Sequence, residues 1–172
     1  MHEKVFRIQV PESVYDAHQQ VWALMGGRAQ RDFIFRVRTN GAVALAKVRS
    51  LSEIEGGVPM SRVEPNGLHR FSVLTTPVTR SRFGEKPLRR SDEVSQWLSE
   101  RLSAQGVKLI SAAHQFLPSP KFGKPRHRHY IHTVESFGVL QIEDAHKANL
   151  MLAHGIGRLR GMGYGMVELE GM

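Results

Sequence analysis

The chain has 172 residues, 41% of them hydrophobic and 23% charged, with no cysteine. That length holds one ordinary domain or two small ones sharing an interface, the composition excludes wholesale disorder, and the lack of cysteine excludes disulfides, thiolate zinc sites and cysteine nucleophiles. Lysine and arginine outnumber aspartate and glutamate 24 to 16, a formal net charge of +8, so the expected partner is a polyanion, nucleic acid first.

The opening stretch Met1-His-Glu-Lys-Val-Phe-Arg7 is too charged for a signal peptide, and the longest apolar run, Ala42 to Ala46, is far too short to cross a bilayer. The sequence therefore predicts a soluble, cytoplasmic protein without a membrane partner. Val5 to Val10 alternates apolar and polar residues, as a half-buried strand does. Ser13 with Asp16 three residues later resembles a capping box, so a helix is predicted from Val14, with Val14, Ala17, Val21 and Leu24 on one face and Gly26-Gly27 as its stop. Phe33 to Val37 and Val43 to Val48 read as strands joined at Asn40-Gly41, a strong hairpin signal. Residues 50–67, rich in glycine and proline, leave room for a short helix and a short strand.

A strand is predicted from Leu68 to Leu74, then a basic surface loop from Val78 to Arg90. Ser91 to Ala104 reads as a helix with Val94, Trp97, Leu98 and Leu102 inward, closed by Gly106. Val107 to Leu117 reads as a strand, Pro118 to Pro125 as a basic turn, and Arg126 to Ile142 as one long strand kinked at Gly138. A helix over Asp144–His154, a glycine-rich loop and a strand over Tyr164–Leu169 close the chain. This order predicts an α+β fold of tandem ferredoxin-like (RRM-like) βαββαβ domains, residues 1–70 and 71–172, the first one abbreviated.

Four features carry chemistry. The loop Gly155-Ile-Gly-Arg-Leu-Arg-Gly-Met-Gly-Tyr-Gly165 places five glycines and two arginines within eleven residues. Dense glycine at positions such as Gly157 and Gly161 lets backbone amides approach a phosphate, and Arg158 and Arg160 add fixed charge. It follows a helix and precedes a strand, the reverse of a dinucleotide site. Tyr15 and His18 stand one turn apart near a helix N-terminus, where the helix dipole favours a neutral imidazole able to take a proton from a ribose 2′-hydroxyl. The same spacing also suits two residues at a core–solvent boundary. The segment Lys121 to His132, with Lys121, Lys124, Arg126 and Arg128 among aromatic residues, reads either as a hairpin that tracks a phosphate backbone or as a solvated basic edge. A metal held by His127, His129 and His132 is disfavoured by the arginines between them. The fourth feature is the run Arg80, Arg82, Arg89 and Arg90, extended by Arg28, Arg31, Arg36 and Arg38. No metal or cofactor motif is present, so any catalysis is expected to run on histidine, tyrosine and cations.

Tyr15-x-x-His18-x-x-x-Trp22, Arg31-Asp-Phe-Ile-Phe-Arg-Val37, Phe71-Ser-Val-Leu-Thr-Thr-Pro-Val-Thr79, Phe137-Gly-Val-Leu-Gln-Ile142 and the loop 155–165 together resemble, in order, the CasE family of CRISPR-associated repeat-RNA endoribonucleases. The resemblance implies metal-independent cleavage at the 3′ base of a repeat stem-loop, with a 2′,3′-cyclic or 2′/3′-phosphate and a 5′-hydroxyl as ends. It implies His18 as general acid/base, Tyr15 as its partner, and Arg158 and Arg160 as ligands of the RNA. It also implies retention of the product within a Cascade-like surveillance complex alongside other effector subunits. Against that pattern the stretches around 48–67 and 80–90 look shortened. A non-catalytic hairpin-binding subunit, or another basic ferredoxin-like RNA-binding protein, remains the alternative reading.

Overall fold

The computed structural model describes residues 1–27, 32–82, 84–122 and 129–171. Strand β1 (His2–Ile8) leads to Ser13, whose Oγ accepts the Asp16 amide at 3.0 Å and caps helix α1 (Val14–Leu24). Asp16 returns the bond one residue earlier than a standard capping box, its Oδ2 accepting the Glu12 amide at 3.0 Å. The helix buries Ala17 and Val21, and Val21 packs on a sheet made with β2 (Phe33–Asn40) and β3 (Val43–Ser50), with Phe33, Phe35, Ala46 and Val48 in the same cluster. The expected Asn40-Gly41 hairpin forms, with Asn40 opposite Val43. Of the short helix and short strand expected in 50–67, only the strand β4 (Val58–Pro59) forms. Residues 51–57 carry one buried apolar side chain, Ile54, so no apolar face exists to hold a helix on the sheet.

The second half opens with β5 (Leu68–Thr75), followed by a hairpin of β6 (Val78–Ser81) and β7 (Gly84–Pro87) where the sequence suggested a plain loop. Next come α2 (Ser91–Ser103) and β8 (Val107–Leu117), then a two-residue ladder of β9 (Lys121–Phe122) and β10 (His129–Tyr130). The chain ends with β11 (Thr133–Ile142), α3 (Ala145–His154), a 3₁₀ turn (Arg160–Met162) and β12 (Val167–Gly171). The single strand expected from Arg126 is thus replaced by β10 and a separate β11. No break marks Gly138 itself, since β11 runs unbroken through it; the pairing with β8 shifts register between Val139 and Leu140, where the extra residue, Ile110, belongs to β8. A Cβ on Gly138 would come within 2.0 Å of the Ser111 carbonyl, so glycine is what lets the two strands close up there.

Among the described residues the two main sheets run β2-β3-β1-β4 and β12-β5-β11-β8, all pairs antiparallel. Counted within each unit, both have the order fourth, first, third, second. These are tandem ferredoxin-like units, and the first lacks the helix between its third and fourth strands. The second unit is the better filled. Val94, Trp97, Leu98 and Leu102 of α2, and Ala148, Met151 and Leu152 of α3, pack on Phe71, Val73, Val134, Leu140 and Val167. Each fully buried aliphatic side chain here contributes roughly 1.5–3 kcal/mol. His114 of β8 bridges helix and sheet, with Ser95 at 2.7 Å and Ser136 at 2.8 Å, and burial lowers its pKa.

The units are joined by buried charge. Strand alternation puts Arg36 and Arg38 on the face opposite Phe35, as expected, but at Arg36 that face is turned to the second unit rather than to solvent. Arg36 is 3% exposed; it donates to Glu168 at 2.7 Å, to Ser72 at 3.0 Å and to Glu135. Arg38 makes a two-pronged contact with Glu168 at 3.0 and 2.6 Å, and Lys47 approaches the same carboxylate at 3.4 Å. Burial raises the Glu168 pKa, but Arg36, Arg38 and Lys47 outweigh that and hold it below the usual range. Arg36 therefore holds the fold together and drops out of the expected basic surface, while Arg38 keeps an exposed side chain and reaches Glu168 from the rim. Arg28 and Arg31 lie outside the described residues.

Candidate functional site

Helix α1 carries a stripe of rings. The Tyr15 and His18 centroids are 6.3 Å apart, His18 and Trp22 5.8 Å, and Trp22 and Phe33 of β2 6.0 Å. Tyr15 and His18 are each half-buried, so an imidazole and a phenol share one face of the helix, backed by apolar rings and reachable from outside. The spacing 15, 18, 22 is what a helix needs to stack side chains on one face. Trp22 is the link in this stripe, touching His18 on one side and the buried Phe33 on the other.

The glycine-rich loop is a pinched turn rather than an open cradle. Its ends meet: the Ile156 amide donates to Gly165 O at 2.8 Å and the Gly165 amide to Leu74 O at 2.7 Å. The amides of Gly155 and Met162 also donate inside the protein. Gly157 lies against the Trp97 ring, and Gly161 sits within the 3₁₀ turn. Part of the glycine density is thus a packing requirement. Leu159 has a left-handed backbone (φ 57°, ψ 24°), a conformation that costs a leucine about 1–2 kcal/mol and is tolerated at the tip between Arg158 and Arg160. Arg160 is exposed and donates to His154 O at 3.3 Å; Arg158 pairs with Glu85.

The pinch gives a direct test. Gly165 has φ +76°, and a Cβ there would come within 2.0 Å of Ile156 O. Gly165→Ala should therefore open the loop and lower stability by at least about 2 kcal/mol, with φ strain and the backbone clash acting together. Thermal unfolding measures it, and an unchanged midpoint would show that the loop closes some other way.

The fold brings the separated features together around α1. The turn Arg160–Met162 packs against both α1 and β2, and β9, which carries Lys121, approaches α1. A cavity of about 670 Å³ lies between Phe33, Asp32, His154 and the loop residues Arg158 to Met162. It connects the end of the ring stripe to the arginines. Lys124, Arg126 and Arg128, like His127, lie outside the described residues. Arg80, Arg82, Arg89 and Arg90 are all exposed. Arg80 pairs with Glu85 at 3.1 Å and Arg90 with Asp92 at 2.7 Å, contacts exposed enough to contribute little stability and to yield to a stronger anion. Sequence reading missed Glu85 and Arg101. Arg101 lies 5.8 Å over the Trp97 ring and lines a cavity with Arg158 and Arg160. Its only local mark is an i, i+4 spacing from an inward tryptophan.

The family model for "CRISPR associated protein" matches residues 59–170, well over half of the chain. No curated protein sequence matches. Among solved structures, the CRISPR-associated protein Cas6e from Escherichia coli K-12 superposes with a TM-score of 0.80 at 20% identity, covering 100% of both chains. Thermus thermophilus Cse3 bound to an RNA representing a pre-cleavage complex gives 0.73 at 20% identity, covering 99% of this chain and 100% of that one. A chain of a CRISPR RNA-guided surveillance complex gives 0.73 at 14% identity, covering 100% of both. At these identities the superpositions establish a shared fold.

Proposed function

Because the chain belongs to the CRISPR-associated protein family, we propose that it is the endoribonuclease that processes repeat RNA and that His18 carries the chemistry. The observation behind this reading is the convergence on α1: the Tyr15–His18 pair, the Arg160–Met162 turn and the β9 hairpin strand meet in one place, though they are far apart in sequence. In this reading residues 1–70 supply the acid/base pair and residues 71–172 supply the basic hairpins and the arginine loop.

Cleavage needs four things: a proton removed from the ribose 2′-hydroxyl, in-line attack, charge stabilisation at phosphorus and a proton for the leaving oxygen. The 2′-oxygen forms a bond to phosphorus, the bond from phosphorus to the 5′-oxygen breaks, and the 5′-oxygen takes a proton. His18 exchanges these protons, and the Tyr15 hydroxyl orients the reacting groups. Arg158 and Arg160, always protonated, neutralise the phosphorane electrostatically. Lys121, Lys124, Arg126 and Arg128, with Arg80, Arg82, Arg89 and Arg90, hold the stem-loop. The products are a 2′,3′-cyclic phosphate (or its opened 2′/3′-phosphate) and a 5′-hydroxyl, and the cut lies at the 3′ base of the stem. Cse3 has been solved bound to RNA, which supports RNA binding here, and a chain of this fold sits within a surveillance complex, which supports effector-complex partners that retain the product. No described helix is long and apolar enough to cross a membrane.

The test is a repeat stem-loop incubated with the protein in excess chelator. Cleavage at one position, with ends resistant to ligation until the phosphate is removed, is the expected result. Bound but intact RNA would instead identify a hairpin-binding subunit that does not cut.

A further inference from the structure

Glu85 is the only acidic residue between Val78 and Arg90, a stretch with five basic ones. Its Oε1 accepts from Arg80 Nε at 3.1 Å and its Oε2 from Arg158 Nη1. Arg80 belongs to the same hairpin, whereas Arg158 comes from the glycine-rich loop 73 residues further on. One carboxylate thus holds two guanidinium groups from different parts of the fold, the arrangement in which arginines grip a phosphate.

The surroundings suit an anion larger than a carboxylate. Cavities of about 610 and 470 Å³ lie on either side, and both are lined by Thr76, Val78, Glu85 and Arg158. The Glu85–Arg158 pair thus belongs to the lining of both. The first cavity adds Arg80, Arg101 and Arg160 against one further acid, Glu100, and the second adds Arg89. Thr76, 2% exposed, lines both cavities, and its buried hydroxyl has no hydrogen-bond partner among the described residues. A buried hydroxyl without a partner is costly unless a ligand supplies one.

We propose that Glu85 is a displaceable stand-in for an RNA phosphate: it holds Arg80 and Arg158 at anion-binding separation, and a phosphodiester of the bound strand replaces it and joins the two cavities into one path. This rests on the RNA-binding reading above. Glu85 and Arg158 are each about one-third exposed and Arg80 is 82% exposed, so the carboxylate's hold is screened and yields readily. A single small anion gains little from the exchange. A polyanion anchored elsewhere on the protein gains both arginines, with counterion release.

The experiment compares wild type, Glu85→Gln, Arg158→Ala and the double variant in binding the repeat stem-loop across a salt series. Glutamine keeps the shape and removes the competing charge. Glu85→Gln should bind about three- to tenfold tighter at low salt, and log Kd should depend more steeply on log salt, by up to about 0.9 for the added phosphate contact. In the Arg158→Ala background most of that gain should vanish. Weaker binding by Glu85→Gln, or an unchanged salt slope, would overturn the proposal and leave Glu85 as a tie that merely steadies the hairpin. Failure of the wild type to bind any repeat stem-loop would reject the RNA reading itself and this proposal with it; wild-type binding without the variant's gain rejects only the proposal.

Discussion

His18→Ala should slow cleavage of a repeat stem-loop by about 10²–10⁴-fold, the usual contribution of a positioned acid/base, while RNA affinity changes by less than about twofold. The imidazole is half-buried and packs between the Tyr15 and Trp22 rings, so its removal leaves a shallow gap on a helix held by Ala17 and Val21. Folding should therefore survive, and the rate measures the chemistry. Tyr15→Phe keeps the ring and removes only the hydroxyl, so a smaller loss of about tenfold is expected, in keeping with one hydrogen bond. The matching change in the substrate is a 2′-deoxy ribose before the cut, which removes the nucleophile and should abolish cleavage by either form. Single-turnover rates alongside binding isotherms decide the matter. Full activity in His18→Ala would move the acid/base elsewhere, and cleavage of the deoxy substrate would overturn the mechanism as a whole.

Arg49→Ala should give the largest stability loss. This guanidinium is 1% exposed and donates to Leu152 O and Val167 O, both at 2.8 Å, and to Glu3 at 3.0 Å. It fastens β3 of the first unit to α3 and β12 of the second. Its removal strands two buried carbonyls and takes one cation from a carboxylate that keeps Lys47 at 3.2 Å. Breaking a buried ionic contact from one side costs about 3–5 kcal/mol, and the surviving Lys47 contact places the expectation near the lower figure. For a chain of this size that corresponds to a fall in melting temperature of about 10 °C. Arg49→Lys keeps the charge but cannot reach three acceptors with a planar fork, so its loss should be intermediate. A drop of less than about 2 °C in Arg49→Ala would mean that water takes over the stranded carbonyls and that the Arg36–Glu168 network and apolar contacts hold the units without Arg49. Because the same joint sets how α1 sits against the arginine turn, cleavage by Arg49→Ala should fall even below the melting transition.

The elements that were legible in the sequence share a local cause. Alternation in Val5 to Val10, the Ser13 and Asp16 cap, the Asn40-Gly41 turn and the inward set Val94, Trp97, Leu98 and Leu102 are all short-range signals, and each has its expected structure except that the first strand runs earlier, from His2 to Ile8. The mistakes fall where the deciding partner is distant. Val78 to Arg90 read as a loop because its charge concealed a hairpin whose strands bury little. Arg36 read as part of an exposed basic face because Glu168 and Glu135, which bury it, lie about a hundred residues away, whereas Arg38 is exposed as expected. The repeated strand order of the two units left no trace as a sequence repeat, since a ferredoxin-like unit constrains the pattern of apolar residues and not their identity.

The sequence by itself determined the class of the molecule: basic, α+β, with two ferredoxin-like halves and a ring pair and an arginine-bearing loop at opposite ends of the chain. These follow from composition and from periodicities of a few residues. Only the tertiary structure decided which charges face solvent, which glycines serve packing, and that the loop, the β9 hairpin strand and α1 share one place. It also exposed Glu85, one acid in a basic run, as the contact between the two features expected to grip RNA. Charge and glycine mean different things when buried and when exposed, and burial depends on contacts between residues far apart in the chain.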